Sequence, residues 1–128
     1  MCPLAKIMRC TVIGAGVSGL SCAIRLLESG HQVEVVSDKF SPDTVSDVAA
    51  AIWYPFLAAP VDKADRWGLE TYSELERFAK EVPEAGVTMR DGREYLRQVV
   101  DLPTWGSKIA AFRVLESDEI PRGYVFGW

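Results

Sequence analysis

The chain has 128 residues, 48% of them hydrophobic and 25% charged, with a formal net charge of −4. That is one domain's length with the composition of a soluble globular protein, and the lack of a basic cluster argues against nucleic acid or an anionic membrane as partner. Cys2, Cys10 and Cys22 show no metal-ligand spacing and suit a reduced, intracellular compartment. The longest uncharged run, Val48 to Val61, is too short to cross a bilayer and is broken by Pro55 and Pro60.

Arg9 to Ile13 reads as a short parallel strand, apolar on both faces. Gly14-Ala15-Gly16-Val17-Ser18-Gly19 follows at once, and a helical pattern follows that. A G-x-G-x-x-G run between strand and helix is where dinucleotide phosphates bind. Gly14 permits the tight turn, Gly16 lets the backbone approach a pyrophosphate, and Gly19 lets the helix pack closely on the strand. Free N–H groups and the positive end of the helix dipole face the phosphates. Val17, Leu20, Ile24 and Leu27 form one apolar stripe, with Ser21, Arg25 and Glu28 on the other side and Gly30 as the stop. Val33 to Val36 is the second strand and closes a βαβ unit; lone His31, in the turn before it, reads as a surface residue. Asp38 stands where an acid accepts hydrogen bonds from ribose hydroxyls. Lys39 beside it would tolerate a ribose phosphate, and a solvated Asp–Lys pair is the plain alternative.

Ser46 or Asp47 is expected to cap a short helix through Val48 to Ala51, with Pro55 ending regular helix by Trp53 or Tyr54. In the Ser46 to Phe56 segment, small residues let a flat ring approach the backbone, and Trp53, Tyr54 and Phe56 can wall a cavity. On the residues alone, a plain core segment is the simpler reading. A longer helix is expected from Ala64 to Lys80, burying Ala64, Trp67, Tyr72, Leu75, Phe78 and Ala79, with Gly68 as a weak point and Glu74, Glu76, Arg77 and Lys80 as surface charge pairs. Val87 to Met89, Glu94 to Val99 and Ile109 to Leu115 read as strands, with Asp91-Gly92 as a hairpin turn. Ser117-Asp118-Glu119 starts a helical turn, and the run from Gly123 to Gly127 reads as the entrance to a further strand. A complete flavin or nicotinamide enzyme needs roughly 200 residues or more, so the chain is expected to be an incomplete portion of one.

From about Cys10 to Trp128 the chain resembles the N-terminal part of the D-amino-acid oxidase family, which includes D-aspartate oxidase. The matching stretches are VIGAGVSGLS from Val12, VSDKFSPDTVSDVAAAIWYPF from Val36, the helix around Arg66 to Tyr72, Pro103-Thr104-Trp105, Phe112 to Leu115 and Gly123 to Gly127. SDKFSPDT leans toward the D-aspartate branch and AIWYPF toward the neutral D-amino-acid branch. The resemblance implies an α/β fold with a Rossmann-like FAD-binding βαβ unit and flavin-contacting segment over 1–60. The start of a mixed-sheet substrate region would follow over 61–128. It implies FAD as cofactor, with its pyrophosphate on Gly14, Ala15, Gly16, Val17, Ser18 and Gly19 and its adenosine ribose on Asp38. Lys39 stands where the family often has arginine, Thr44, Val45 and Ser46 lie along the flavin, and Ala50, Ala51 and Ile52 lie beside its ring. Ala51 replaces a common glycine and adds a methyl group there.

The family reaction moves hydride from the α-carbon of a D-amino acid to the flavin. Oxygen reoxidises the flavin to give peroxide, and the imino acid hydrolyses to a 2-oxo acid and ammonia. The family's substrate-binding arginine and tyrosines come from its later half. Arg66, Arg113, Tyr54 and Tyr72 match none of those positions, so no catalytic residue is assigned. The resemblance implies a small-molecule partner, with a homo-oligomer as an open question, and a cytoplasmic location or, in a eukaryote, a peroxisomal one. A non-catalytic, self-associating module is the alternative, and an NAD(P)-dependent oxidoreductase ranks below it.

Overall fold

The computed structural model describes residues 6–128, so Cys2 lies outside the described residues. The fold is α/β, with two small two-stranded sheets among the described residues, and the chain divides into two compact units, one ending at Ile52 and the other running Trp53–Trp128.

In the first unit, β1 (Arg9–Ile13), α1 (Val17–Glu28) and β2 (Gln32–Val36) form a parallel pair joined by a helix. The register pairs Cys10 with Val33, Val12 with Val35 and Ile13 with Val36. The expectation that β1 is buried on both faces is corrected: Cys10 and Val12 are half-buried, whereas Arg9, Thr11 and Ile13 are exposed. Strand side chains alternate, and the Val12 face is the one α1 covers.

The buried stripe of α1 is corrected as well. A Cβ on Gly19 would lie 2.0 Å from the Gly14 carbonyl oxygen and 3.6 Å from Val12 Cγ1, so the helix meets the strand at Gly19. That close approach turns Ala23, 4% exposed, and half-buried Leu26 inward. Val17, at 67% exposed, and Leu20, Ile24 and Leu27 are left outward. Gly30, at φ +83°, ends the helix, and the His31 N–H donates to the Leu26 carbonyl at 3.0 Å. The next helix, α2 (Val45–Val48), begins earlier than expected and is capped by Thr44, not by Ser46 or Asp47. Thr44 and Asp47 form a capping box, with the Thr44 N–H and hydroxyl both donating to Asp47 Oδ2 at 2.9 and 2.6 Å. Residues 49–52 are irregular and exposed.

In the second unit, α3 (Val61–Glu81) begins directly after Pro60 and covers the expected helix. Trp67 does not face inward as expected: it is 53% exposed, with the Arg66 guanidinium 5.9 Å from its ring. Gly68 takes the inward place, because the Trp53 indole N–H donates to its carbonyl at 2.7 Å and a Cβ there would lie 3.2 Å from Pro55 Cγ. Arg77 pairs with Glu74 at 2.9 Å and Lys80 with Glu76 at 3.4 Å on the helix surface, as expected. The core is aromatic: Trp105, 8% exposed, meets Trp53, Tyr54 and Phe112 edge-on at 5.3, 5.8 and 5.5 Å.

Most of the strands expected here do not form. Val87 to Met89 and Ile109 to Leu115 are irregular, and Asp91-Gly92 makes no hairpin. Glu94 to Val99 contracts to β3 (Tyr95–Leu96), which pairs antiparallel with β4 (Phe126–Gly127), at the run expected to enter a strand. Alternation alone cannot make a strand without a ladder partner. The ladder is short: Glu94 and Trp128 exchange backbone bonds at 3.0 and 3.2 Å at one end, the Val125 N–H donates to the Leu96 carbonyl at 2.9 Å at the other, and Leu115 contributes a single N–H to the Gly127 carbonyl at 2.9 Å. Ser117–Glu119 forms a 3-10 turn where a helical turn is expected.

Candidate functional site

The site begins at the turn between β1 and α1. Gly14, at φ +104°, is in the left-handed region that a side chain disfavours, and its N–H continues the ladder to the Val36 carbonyl at 2.8 Å. Gly19 is needed for space, as its contact with the Gly14 carbonyl shows. Gly16 stands at the N-cap of α1 with no side-chain cap of its own. The Ser18 and Gly19 N–H groups have no carbonyl one turn ahead inside the helix and stand at its positive end.

Two serine hydroxyls close on the turn. Ser37 Oγ, directly after β2, accepts the Ala15 N–H at 3.3 Å and the Lys39 N–H at 3.4 Å. Ser46 Oγ, on α2, accepts the Val17 N–H at 3.0 Å. Ser37 was not among the sequence candidates; its position immediately past the second strand is the signal that marks it. Asp38 is the next residue, exposed at the end of β2 beside the turn, and Lys39 is exposed after it.

Of the remaining candidates, Thr44 spends its hydroxyl on Asp47 within the capping box. The Asp47 carboxyl is held below the usual aspartate range by its bonds from Thr44 first and then from Ser41, whose hydroxyl lies 2.8 Å away. Val45, Ala50, Ala51 and Ile52 are exposed. Ala51 keeps a backbone open to any residue, since Leu57 is the non-glycine residue with positive φ among those described. Its methyl group therefore needs no strained conformation.

The turn, the N–H groups of the α1 terminus and the adjacent Asp38 carboxylate fit the phosphates and ribose of a dinucleotide. The sequence family described as FAD dependent oxidoreductase matches residues 9–123. The chain belongs to the D-amino-acid oxidase family of FAD-dependent oxidoreductases. It is 38% identical over 118 residues to a D-amino-acid oxidase of Rubrobacter xylanophilus, covering 91% of this chain and 36% of that one. A D-amino-acid oxidase of Dictyostelium discoideum is 36% identical over 120 residues, covering 91% and 35%. The human D-aspartate oxidase is 35% identical over 129 residues, covering 93% and 38%. The chain thus spans 35–38% of the length of these oxidases.

The second unit holds two half-open hollows. The smaller, about 180 Å³, is lined by Pro55, Ala58, Val61, Ala64, Asp65 and Trp105; the Asp65 carboxylate there already accepts the Thr104 hydroxyl. The larger, about 430 Å³, lies between Tyr72, Glu76 and Lys108. No catalytic role is assigned to the residues that line either hollow. No helix among the described residues is long and apolar enough to cross a membrane.

Proposed function

We propose that this chain is the FAD-binding portion of a D-amino-acid oxidase, with 1–60 as the Rossmann-like cofactor unit and 61–128 leading into the substrate region. The observation that carries the reading is the Gly14–Gly19 turn, which presents the N-terminus of α1 beside exposed Asp38 at the end of β2. In this reading the Gly16, Ser18 and Gly19 N–H groups receive the pyrophosphate, and Asp38 accepts from the adenosine ribose. Lys39, Thr44, Val45, Ser46, Ala50, Ala51 and Ile52 line the rest of the cofactor. FAD bound there supplies the hydride acceptor for oxidation of a D-amino acid at its α-carbon. The chain's own part is to bind and orient it. SDKFSPDT and AIWYPF favour different branches, so the substrate is proposed as a class. The test is to add FAD to the purified chain and record its visible spectrum and flavin fluorescence: saturable uptake is expected, and none at all sinks the reading.

A second reading has its own support. Ile13, Val17, Ile24 and Leu27 are each more than half exposed, and an apolar surface of that kind favours association with a second copy. Sedimentation as a monodisperse monomer over a wide concentration range would remove it.

A further inference from the structure

Gly16 is the N-cap of α1, and it is extended, at φ −80° and ψ −177°. Nothing in that conformation demands glycine. Serine, threonine, aspartate or asparagine would each cap the helix better, because their side chains accept one of its orphan N–H groups. Here the acceptor comes from 29 residues downstream: Ser46 Oγ takes the Val17 N–H at 3.0 Å. A Cβ on residue 16 would lie 2.8 Å from that same oxygen and 3.8 Å from Ser46 Cβ. Nothing else lies within 4 Å of the space the missing side chain would fill.

We infer that Ser46 is a positioning residue whose hydroxyl serves as the N-cap of α1, and that position 16 is glycine because this hydroxyl occupies its side-chain space. The expectation from sequence has Gly16 let the backbone approach a pyrophosphate; the side-chain space of residue 16 itself is taken by the Ser46 hydroxyl. Ser46 belongs to α2, which Asp47 ties to Thr44 and Ser41. One hydrogen bond therefore carries the order of the 41–48 segment into the glycine turn. Only one consequence rests on the proposed FAD site: Ser46 sets the segment along the flavin against the turn that holds the pyrophosphate.

The test begins without cofactor, on the 128-residue chain as wild type, Gly16→Ala, Ser46→Ala and the double variant. Gly16→Ala is expected to lower the thermal midpoint, and adding Ser46→Ala to recover more than half of that loss, because the oxygen in the way is gone. Additive losses would overturn the inference. If Gly16→Ala does not fold, amide exchange at Val17 decides: about tenfold faster in Ser46→Ala and unchanged in Ser46→Thr supports the cap, and equal rates in wild type and Ser46→Ala refute it. In an FAD titration, Ser46→Ala should weaken binding roughly three- to tenfold, and Ser46→Thr should restore it to within about twofold. Unchanged affinity in Ser46→Ala overturns the link to the cofactor. A wild-type chain that takes up no FAD sinks the proposed function, while the unfolding and exchange arms still decide the cap.

Discussion

The Tyr54 hydroxyl donates to Glu94 Oε2 across 2.6 Å, joining residues 40 apart in sequence. Partial burial first, and then the bond to Glu94 and its negative charge, push the Tyr54 phenol up to about 12 from 10.0. The pair needs the neutral phenol. Its contribution is therefore complete below the unfolded value near 10 and is lost as pH rises through about 12.

A tyrosinate absorbance titration is expected to show a phase centred near 12 that vanishes in Tyr54→Phe and moves down in Glu94→Gln. If the phase survives in Tyr54→Phe, it belongs to another residue and the account of this pair is wrong.

Glu119 gives the opposite sign. The Arg113 guanidinium binds its two oxygens at 2.6 and 2.7 Å, the Glu116 N–H adds a bond at 3.0 Å, and Arg93 lies 3.2 Å away. The Arg113 bonds foremost hold the carboxyl down to about 2 from 4.5. A depressed folded pKa means the stabilisation is complete above about 4.5 and disappears as pH falls toward 2. The gap in thermal midpoint between wild type and Glu119→Gln should be constant above that range and close within it. A pH-independent gap would contradict the pairing.

Gly19→Ala should destabilise the chain by about 3 kcal/mol or prevent folding, because its Cβ must displace the Gly14 carbonyl from 2.0 Å. Gly14→Ala meets no atom within 4 Å, and its cost is the left-handed backbone alone, about 1–3 kcal/mol. Denaturant unfolding of the two variants measures both, and a milder Gly19→Ala would mean that α1 does not sit on β1 as described.

Trp105→Ala should cost about 3–5 kcal/mol, since it empties the centre of the Trp53, Tyr54 and Phe112 cluster. Trp105→Phe should recover part of that by keeping an aromatic ring in place. Equal losses in the two variants would show that the edge-on ring contacts contribute little.

The sequence by itself determined the strand–glycine turn–helix–strand order, the end of α1 at Gly30, the extent of α3 and the family. The first three rest on local chemistry, namely positive φ at glycine, helix-breaking residues or side-chain periodicity within one element, and the family rests on the resemblance of the matched stretches. Only the tertiary structure decided which way those elements face. The apolar stripe of α1 looked inward by periodicity, yet contact at Gly19 rotates Ala23 and Leu26 to the strands. Trp67 looked like core, yet the Trp53 indole claims Gly68. The last third alternates like a sheet, but its strands shrink to Tyr95–Leu96 and Phe126–Gly127, because a ladder needs a partner that no local pattern can specify. In the candidate site, the glycines and Asp38 were legible from spacing, whereas the hydroxyls of Ser37 and Ser46 on the turn were not. Those two bonds span 22 and 29 residues, and they exist only because β2 lies beside β1 and α2 folds back to the N-terminus of α1.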